Sequence, residues 1–208
     1  QALAGKQNTG VDALPIGPLN YDIAGEDSFD YFEPTCSAEF ASSSEWMIGE
    51  GDGERVHPRY TTERAIEAGR SRNMGRLIVH YNYPHEPYPK AEGSLSKPIN
   101  SLSTKEINSE QVWEDYVNNL RLVLNEVEIL LDNLSADNVV ITADHGEAFG
   151  EYGFYQHIMA CPIPCVRQVP WVRTTAKDTG DYSVSAPTPE SVSESRTVDE
   201  KLRALGYQ

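Results

Sequence analysis

The stretch Val139-Val140-Ile141-Thr142-Ala143-Asp144-His145-Gly146-Glu147 constrains this chain more than any other. A β-branched run of strand length ends in a carboxylate beside an imidazole. Gly150-Glu151-Tyr152-Gly153 follows, and His157 comes twelve positions after His145. A buried strand that delivers Asp and His at its carboxyl end fits the ligand crevice of an α/β sheet. Neighbouring residues on a strand face opposite ways, so Asp144 and His145 can turn to one point only in the loop past its end. Gly146 lets the backbone there run close to a ligand.

A second apolar run, Leu77-Ile78-Val79-His80-Tyr81, ends in Asn82-Tyr83-Pro84-His85-Glu86-Pro87-Tyr88, where two prolines stop regular structure. Between the two runs lies a helical pattern. Trp113, Tyr116, Val117, Leu120, Val123, Leu124, Val127, Leu130, Leu131 and Leu134 recur at three- and four-residue steps, predicting an amphipathic helix of about 25 residues. Asn108, with Gln111 three positions on, gives it a start resembling a capping box. Strand, loop, helix, strand predicts a βαβ unit with parallel neighbouring strands. That arrangement brings His85 to the same sheet edge as Asp144 and His145.

The remaining segments are less patterned. Residues 1–56 read as a loop-rich segment, the edge of a larger domain. Asp12 follows Lys6-Gln7-Asn8-Thr9-Gly10, which does not read as a strand, so it is set aside as a ligand. Thr61 to Gly69 predicts a short helix with Thr61 as N-cap. Residues 89–107 read as a long loop. Val169-Pro170-Trp171-Val172-Arg173 predicts an edge strand, residues 176–197 a flexible linker and Val198 to Gly206 a short helix. The domain expected is α/β over residues 57–175, followed by the tail 176–208. The chain begins at Gln1 rather than Met, and the N-terminal part of the fold is expected to lie outside it.

Charge excludes one class of partner. With 32 acidic against 17 basic residues the formal net charge is -15, the opposite of a nucleic-acid-binding surface. Arginine outnumbers lysine and the acid is scattered, which suits high salt, where screening removes self-repulsion; a halophilic source is expected. No apolar stretch approaches the about 18–20 residues of a membrane span, and no signal peptide is visible. Cys36, Cys161 and Cys165 are too few for a disulfide scaffold, and their odd number fits a reducing, cytoplasmic compartment. Cys161-Pro-Ile-Pro-Cys165 has no second pair to complete a zinc site and reads as small buried residues near a bend.

A carboxylate with an imidazole suits Zn²⁺ or Mn²⁺, whereas a carboxylate-dominated site suits Ca²⁺ or Mg²⁺. His157 follows a loop able to fold back over Asp144 and His145, as a ligand or, protonated, as an anion contact. His80 reads as a packing residue, and His57 has only its residue type to suggest a role.

Residues 139–153 resemble the C-terminal metal-binding motif of the sulfatase family, within the alkaline phosphatase superfamily. Leu77 to Tyr88 is similar to that family's strand ending in a Pro-His-x-Pro motif, and the resemblance spans roughly residues 57–175. It implies an alkaline phosphatase-like parallel sheet with a mixed edge and flanking helices. It also implies that Asp144 and His145 bind a divalent metal, Ca²⁺, Mn²⁺, Zn²⁺ or Mg²⁺. His157 would contact the sulfate or phosphate group, and His85 would contact the transferred group or protonate the leaving oxygen. The implied activity is hydrolysis of sulfate esters on a small molecule or glycan. The alternatives are a phosphoryl-transfer relative (phosphodiesterase, phosphoglycerate mutase-like or phosphoethanolamine transferase) and a non-catalytic anion- or glycan-binding member of the fold. The family's nucleophile, a Cys or Ser in Cys/Ser-x-Pro-x-Arg or a plain Ser or Thr, is not found. Cys36-Ser37-Ala38 lacks the Pro and the Arg.

Overall fold

The structure, a computed structural model, describes residues 9–12, 31–35, 44–49, 55–88, 98–104, 107–158 and 160–188. The architecture is mixed α/β. The strands are β1 (Thr9–Asp12), β2 (Tyr31–Pro34), β3 (Met47–Ile48), β4 (Arg55–Val56), β5 (Leu77–His80), β6 (Ala136–Thr142), β7 (Ala148–Phe149), β8 (Tyr155–Gln156) and β9 (Trp171–Ala176). The α-helices are α1 (Pro58–Ser71), α2 (Pro98–Ser103), α3 (Ser109–Leu131) and α4 (Pro164–Arg167).

β2, β1 and β5 form a parallel sheet in that order. This departs from the sequence expectation in two places: the described parts of residues 1–56 include β1 to β4, and Thr9, Gly10 and Val11, just before Asp12, lie in a strand. Gly10 gives β1 little strand preference of its own. Its conformation is set by hydrogen-bonded neighbours on both sides, which local composition does not display. The register places Asp12 opposite both Pro34 and His80, so β1 ends at the sheet edge where the His85 loop departs.

α1 begins earlier than Thr61. Pro58 occupies its first turn, where a missing N–H does no harm. His57 is the N-cap, its Nδ1 accepting from the Arg59 backbone N–H at 3.0 Å. Ala65, Ile66 and Ala68 are buried with Leu130 of α3, and Leu77 and Val79 of β5 pack against them. Ile66 is fully buried, and such a side chain contributes about 1.5–3 kcal/mol.

α3 starts at its expected cap, with the Asn108 carboxamide oxygen accepting from the Glu110 N–H at 2.8 Å. Gln111 does not complete a capping box; it donates to Asp115 at 3.1 Å. The buried stripe is Val112, Asp115, Asn119, Val123, Glu126 and Leu130, so half of it is polar. Glu126 there accepts from Arg59 at 2.5 and 2.9 Å. Trp113 and Leu124, expected on the core side, are exposed. The apolar arc of α3 is wider than the surface the described residues offer it.

β6 pairs with β9, antiparallel, and β5 pairs with β1. The predicted parallel pairing of β5 with β6 is therefore corrected, while β9 is the expected extra strand, starting at Trp171. The pattern predicts a buried strand at β6, yet Val140 is exposed, as are Trp171 and Val172 beside it. The expected loop 89–107 contains α2, which forms because Ile99 and Leu102 bury against Tyr88 and Val112.

Residues 177–188 have no helix or strand but are not free. The Glu63 carboxylate accepts from the Ser185 and Ala186 N–H groups at 2.5 and 2.8 Å and from the Tyr182 hydroxyl at 2.7 Å. Arg70 pairs with Asp178 at 2.7 Å. The expected helix at 198–206 and Cys36 lie outside the described residues. No helix among the described residues is long and apolar enough to cross a membrane.

Candidate functional site

Three imidazoles from separate parts of the chain meet at one place. His145 and His157 stack with centroids 4.2 Å apart, and His85 lies edge-on to His157 at 5.2 Å. The predicted βαβ adjacency does not bring them together. Past β6 the chain turns into β7, and the β7–β8 hairpin returns His157 to His145. Behind the hairpin, Trp113 and Tyr116 of α3 pack on Phe149, with centroids 5.2 and 5.1 Å away. Tyr88, just past the His85 loop, joins them through Tyr116.

Each ring is held by the same nitrogen. His145 Nδ1 lies 2.9 Å from the Gly146 carbonyl, and His85 Nδ1 contacts the Glu86 carbonyl. A carbonyl only accepts, so both Nδ1 atoms carry the proton. His157 Nδ1 donates to the Glu147 carboxylate, at 3.0 and 3.2 Å from its two oxygens. In the neutral rings the unprotonated nitrogen is therefore Nε2, and an Nδ1–H held by a carbonyl or carboxylate is the usual support of a metal-binding or proton-carrying histidine.

Asp144 lies two residues past the end of β6. Its Oδ1 accepts from the His145 N–H at 3.0 Å, and its Oδ2 lies 3.6 Å from His145 Nε2. The side chains of Asp144 and His145 are 63% and 37% exposed, open to a ligand from solvent. One oxygen and one nitrogen donor fit Zn²⁺ or Mn²⁺ better than Ca²⁺ or Mg²⁺. They make only part of a coordination shell: among the described residues no group of three or more His, Cys, Asp or Glu converges to hold a metal.

Several supporting residues drew no notice in the sequence. Glu147 is almost fully buried and holds His157. Glu86, also buried, accepts from Gln156 Nε2 at 2.9 Å and from the Ile99 N–H at 3.1 Å. It thereby links the His85 loop to the residue before His157. Gln156 sits at φ 65°, a left-handed conformation uncommon outside glycine, and the Glu86 contact helps to hold it there. Both glutamates adjoin motif residues, so their position was visible, but a partner far away in sequence was not. Cys161 is buried, Cys165 half-buried, and both are free thiols near the bend at α4.

Gly146 makes a close approach, though to protein rather than ligand. Its N–H donates to the Val166 carbonyl at 2.7 Å, and a Cβ added to it would lie 2.0 Å from the Cys165 carbonyl oxygen. Backbone cannot yield as a side-chain tip can. Gly146→Ala is expected to destabilise the chain by about 1–3 kcal/mol, as other overpacked sites do, and to move His145. Urea unfolding of the variant checks the first effect and the His145 ring resonances the second.

The pKa of His157 is raised, chiefly by its hydrogen bond to Glu147, with Asp144 and Glu86 adding to the effect against the opposing desolvation. A raised folded-state value means the imidazolium is stabilised by folding. That contribution is complete below the unfolded histidine value of about 6.5 and is lost as pH rises through the raised value. The melting-temperature difference between the metal-free wild type and His157→Gln should thus be larger at pH 5.5 than at pH 8.5. An equal difference at both would mean that Glu147 does not hold the charged ring.

No family model, no curated protein and no solved structure matches the chain.

Proposed function

We propose that this chain is the metal- and anion-binding part of a sulfuric ester hydrolase with an alkaline phosphatase-like fold, and that it lacks the attacking group. The observation carrying this reading is the meeting of His85, His145 and His157 beside Asp144, each ring fixed through Nδ1. Asp144 and His145 hold the divalent metal, which when bound lowers the pKa of a nucleophile and neutralises one ester oxygen. His157, whose charged form the Glu147 hydrogen bond favours, balances charge on the equatorial oxygens of the sulfate. His85, in its imidazolium form, donates its Nε2 proton to the leaving alkoxide and keeps the Nδ1 proton on the Glu86 carbonyl. The substrate is a sulfated small molecule or glycan.

The test is hydrolysis of aryl sulfate and aryl phosphate esters by the purified chain, with added Mn²⁺, in high salt. The expected result is little turnover of either. Robust esterase activity that survives Asp144→Asn sinks the proposal, and metal-dependent cleavage of phosphate over sulfate moves the chain to the phosphoryl-transfer relatives. One observation favours a second reading, a non-catalytic anion- or glycan-binding protein: among the described residues no group of three or more His, Cys, Asp or Glu is placed to hold a metal. That reading requires sulfate binding unaltered by Asp144→Asn.

A further inference from the structure

Arg55 sits in β4, and its guanidinium reaches the loop that carries His85. Nη1 donates to the Pro87 carbonyl at 2.8 Å and to the His85 carbonyl, and Nη2 donates to the Asn82 carbonyl. The guanidinium carbon lies 4.1 Å from the centre of the Tyr83 ring, and the Tyr83 hydroxyl donates back to the Val56 carbonyl at 2.9 Å. One planar cation thus gathers the carbonyls at both ends of the loop, including that of His85 itself. Arginine suits this because its donors are set in a rigid fork.

A partly open pocket of about 40 Å³ borders the loop, lined by Asn82, Tyr83 and Arg55 together with Thr35, Val56 and Thr61. A further tie is Glu86, through Gln156 and the Ile99 N–H. It holds the loop to β8 and α2, whereas Arg55 holds it to the β4 side. Without Arg55, three carbonyls lose a charged donor, and the Tyr83 hydroxyl on the Val56 carbonyl is the tie to β4 that stays.

We propose that Arg55 is the positioning residue for His85, setting its ring against His157 beside Asp144 and His145. The proposal rests on the metal reading of that site, and its test separates the two. The full chain carries labelled histidines, and Mn²⁺ alone is the probe. In the wild type, substoichiometric Mn²⁺ broadens the ring signals of His145, His157 and His85. In Arg55→Gln the broadening of His85 falls several-fold, while His145 and His157 broaden as before. A merely structural role would change all three or none. Unchanged broadening of His85 overturns the proposal. Should Arg55→Gln fail to fold, Arg55→Lys decides by the same criterion, since an ammonium cannot span the three carbonyls as the fork does. Should Mn²⁺ broaden none of the wild-type rings, the metal reading has failed on its own. Arg55 is then judged by the ring-proton contact between His85 and His157, expected in the wild type and lost in Arg55→Gln; its persistence overturns the proposal.

Discussion

Asp144→Asn is expected to lower the affinity of the chain for Mn²⁺ at least about 100-fold, because losing a residue that merely supports a ligand already costs about 10–100-fold. Asn keeps the shape and can still accept from the His145 N–H, the 3.0 Å contact now made by Oδ1. It loses the anionic oxygen that lies 3.6 Å from His145 Nε2. The substitution is therefore a charge test with little packing change. At a side chain this exposed, stability should stay within about 0.5 kcal/mol. His145→Ala should weaken binding comparably, whereas His85→Ala should leave it nearly intact, since His85 acts on the transferred group. Calorimetric titration of the purified chain with Mn²⁺ measures all three. Wild-type affinity in Asp144→Asn would reduce Asp144 to a cap on the turn after β6.

Local pattern revealed α3, β5 and β6. Their apolar periods are long, and their ends carry local signals: Asn108 for α3, and the prolines after β5. Pairing was a different matter. β6 carries the branched residues of a fully buried strand, but strand direction and neighbours are set by partners distant in sequence. Its neighbour β9 comes about 30 residues later, antiparallel. β1 was invisible because nothing within Thr9–Asp12 marks a strand; its two neighbours define it. Pro98–Ser103 likewise is too short for a period, and its burial against Tyr88 makes the helix. The N-cap of α1 was misplaced because His57 is an unusual cap and Thr61 a common one.

The histidine cluster joins both lessons. Asp144, His145, His85 and His157 stood out by residue type and by their place after strands. Their meeting was expected from parallel neighbours, β5 beside β6, and is instead produced by the β7–β8 hairpin and the Glu86–Gln156 contact. A short hairpin with Gln156 in the left-handed region leaves almost no trace in composition. Arg55 leaves none, because a guanidinium bound to backbone carbonyls needs no particular residues on the other side. The groups that hold the rings are thus less legible than the rings.

The largest stability loss is expected from Arg64→Ala. Arg64 on α1 donates to Glu33 on β2 through Nε at 2.6 Å and Nη2 at 3.1 Å, and both side chains are about 95% removed from water. The pair is not in itself a large source of stability, since its desolvation offsets much of its attraction. Removing one partner is another matter, because Glu33 is then a buried carboxylate with only the Tyr31 hydroxyl as a polar neighbour among the contacts described. Such losses run to about 3–5 kcal/mol, a large fraction of a domain's total of about 5–15 kcal/mol. Arg64→Met with Glu33→Gln removes both charges and keeps most of the volume, so the double variant should recover the greater part of the loss. Urea unfolding of the single and double variants decides between a buried unpaired charge and simple loss of packing; packing loss predicts no recovery. The effect should extend to the site, because the pair fixes α1 to the sheet whose third strand, β5, leads into the His85 loop. If the His85 and His157 rings keep their contact in a destabilised but folded Arg64→Ala chain, that loop is held by its own ties to Arg55 and Glu86 rather than by the helix beneath it.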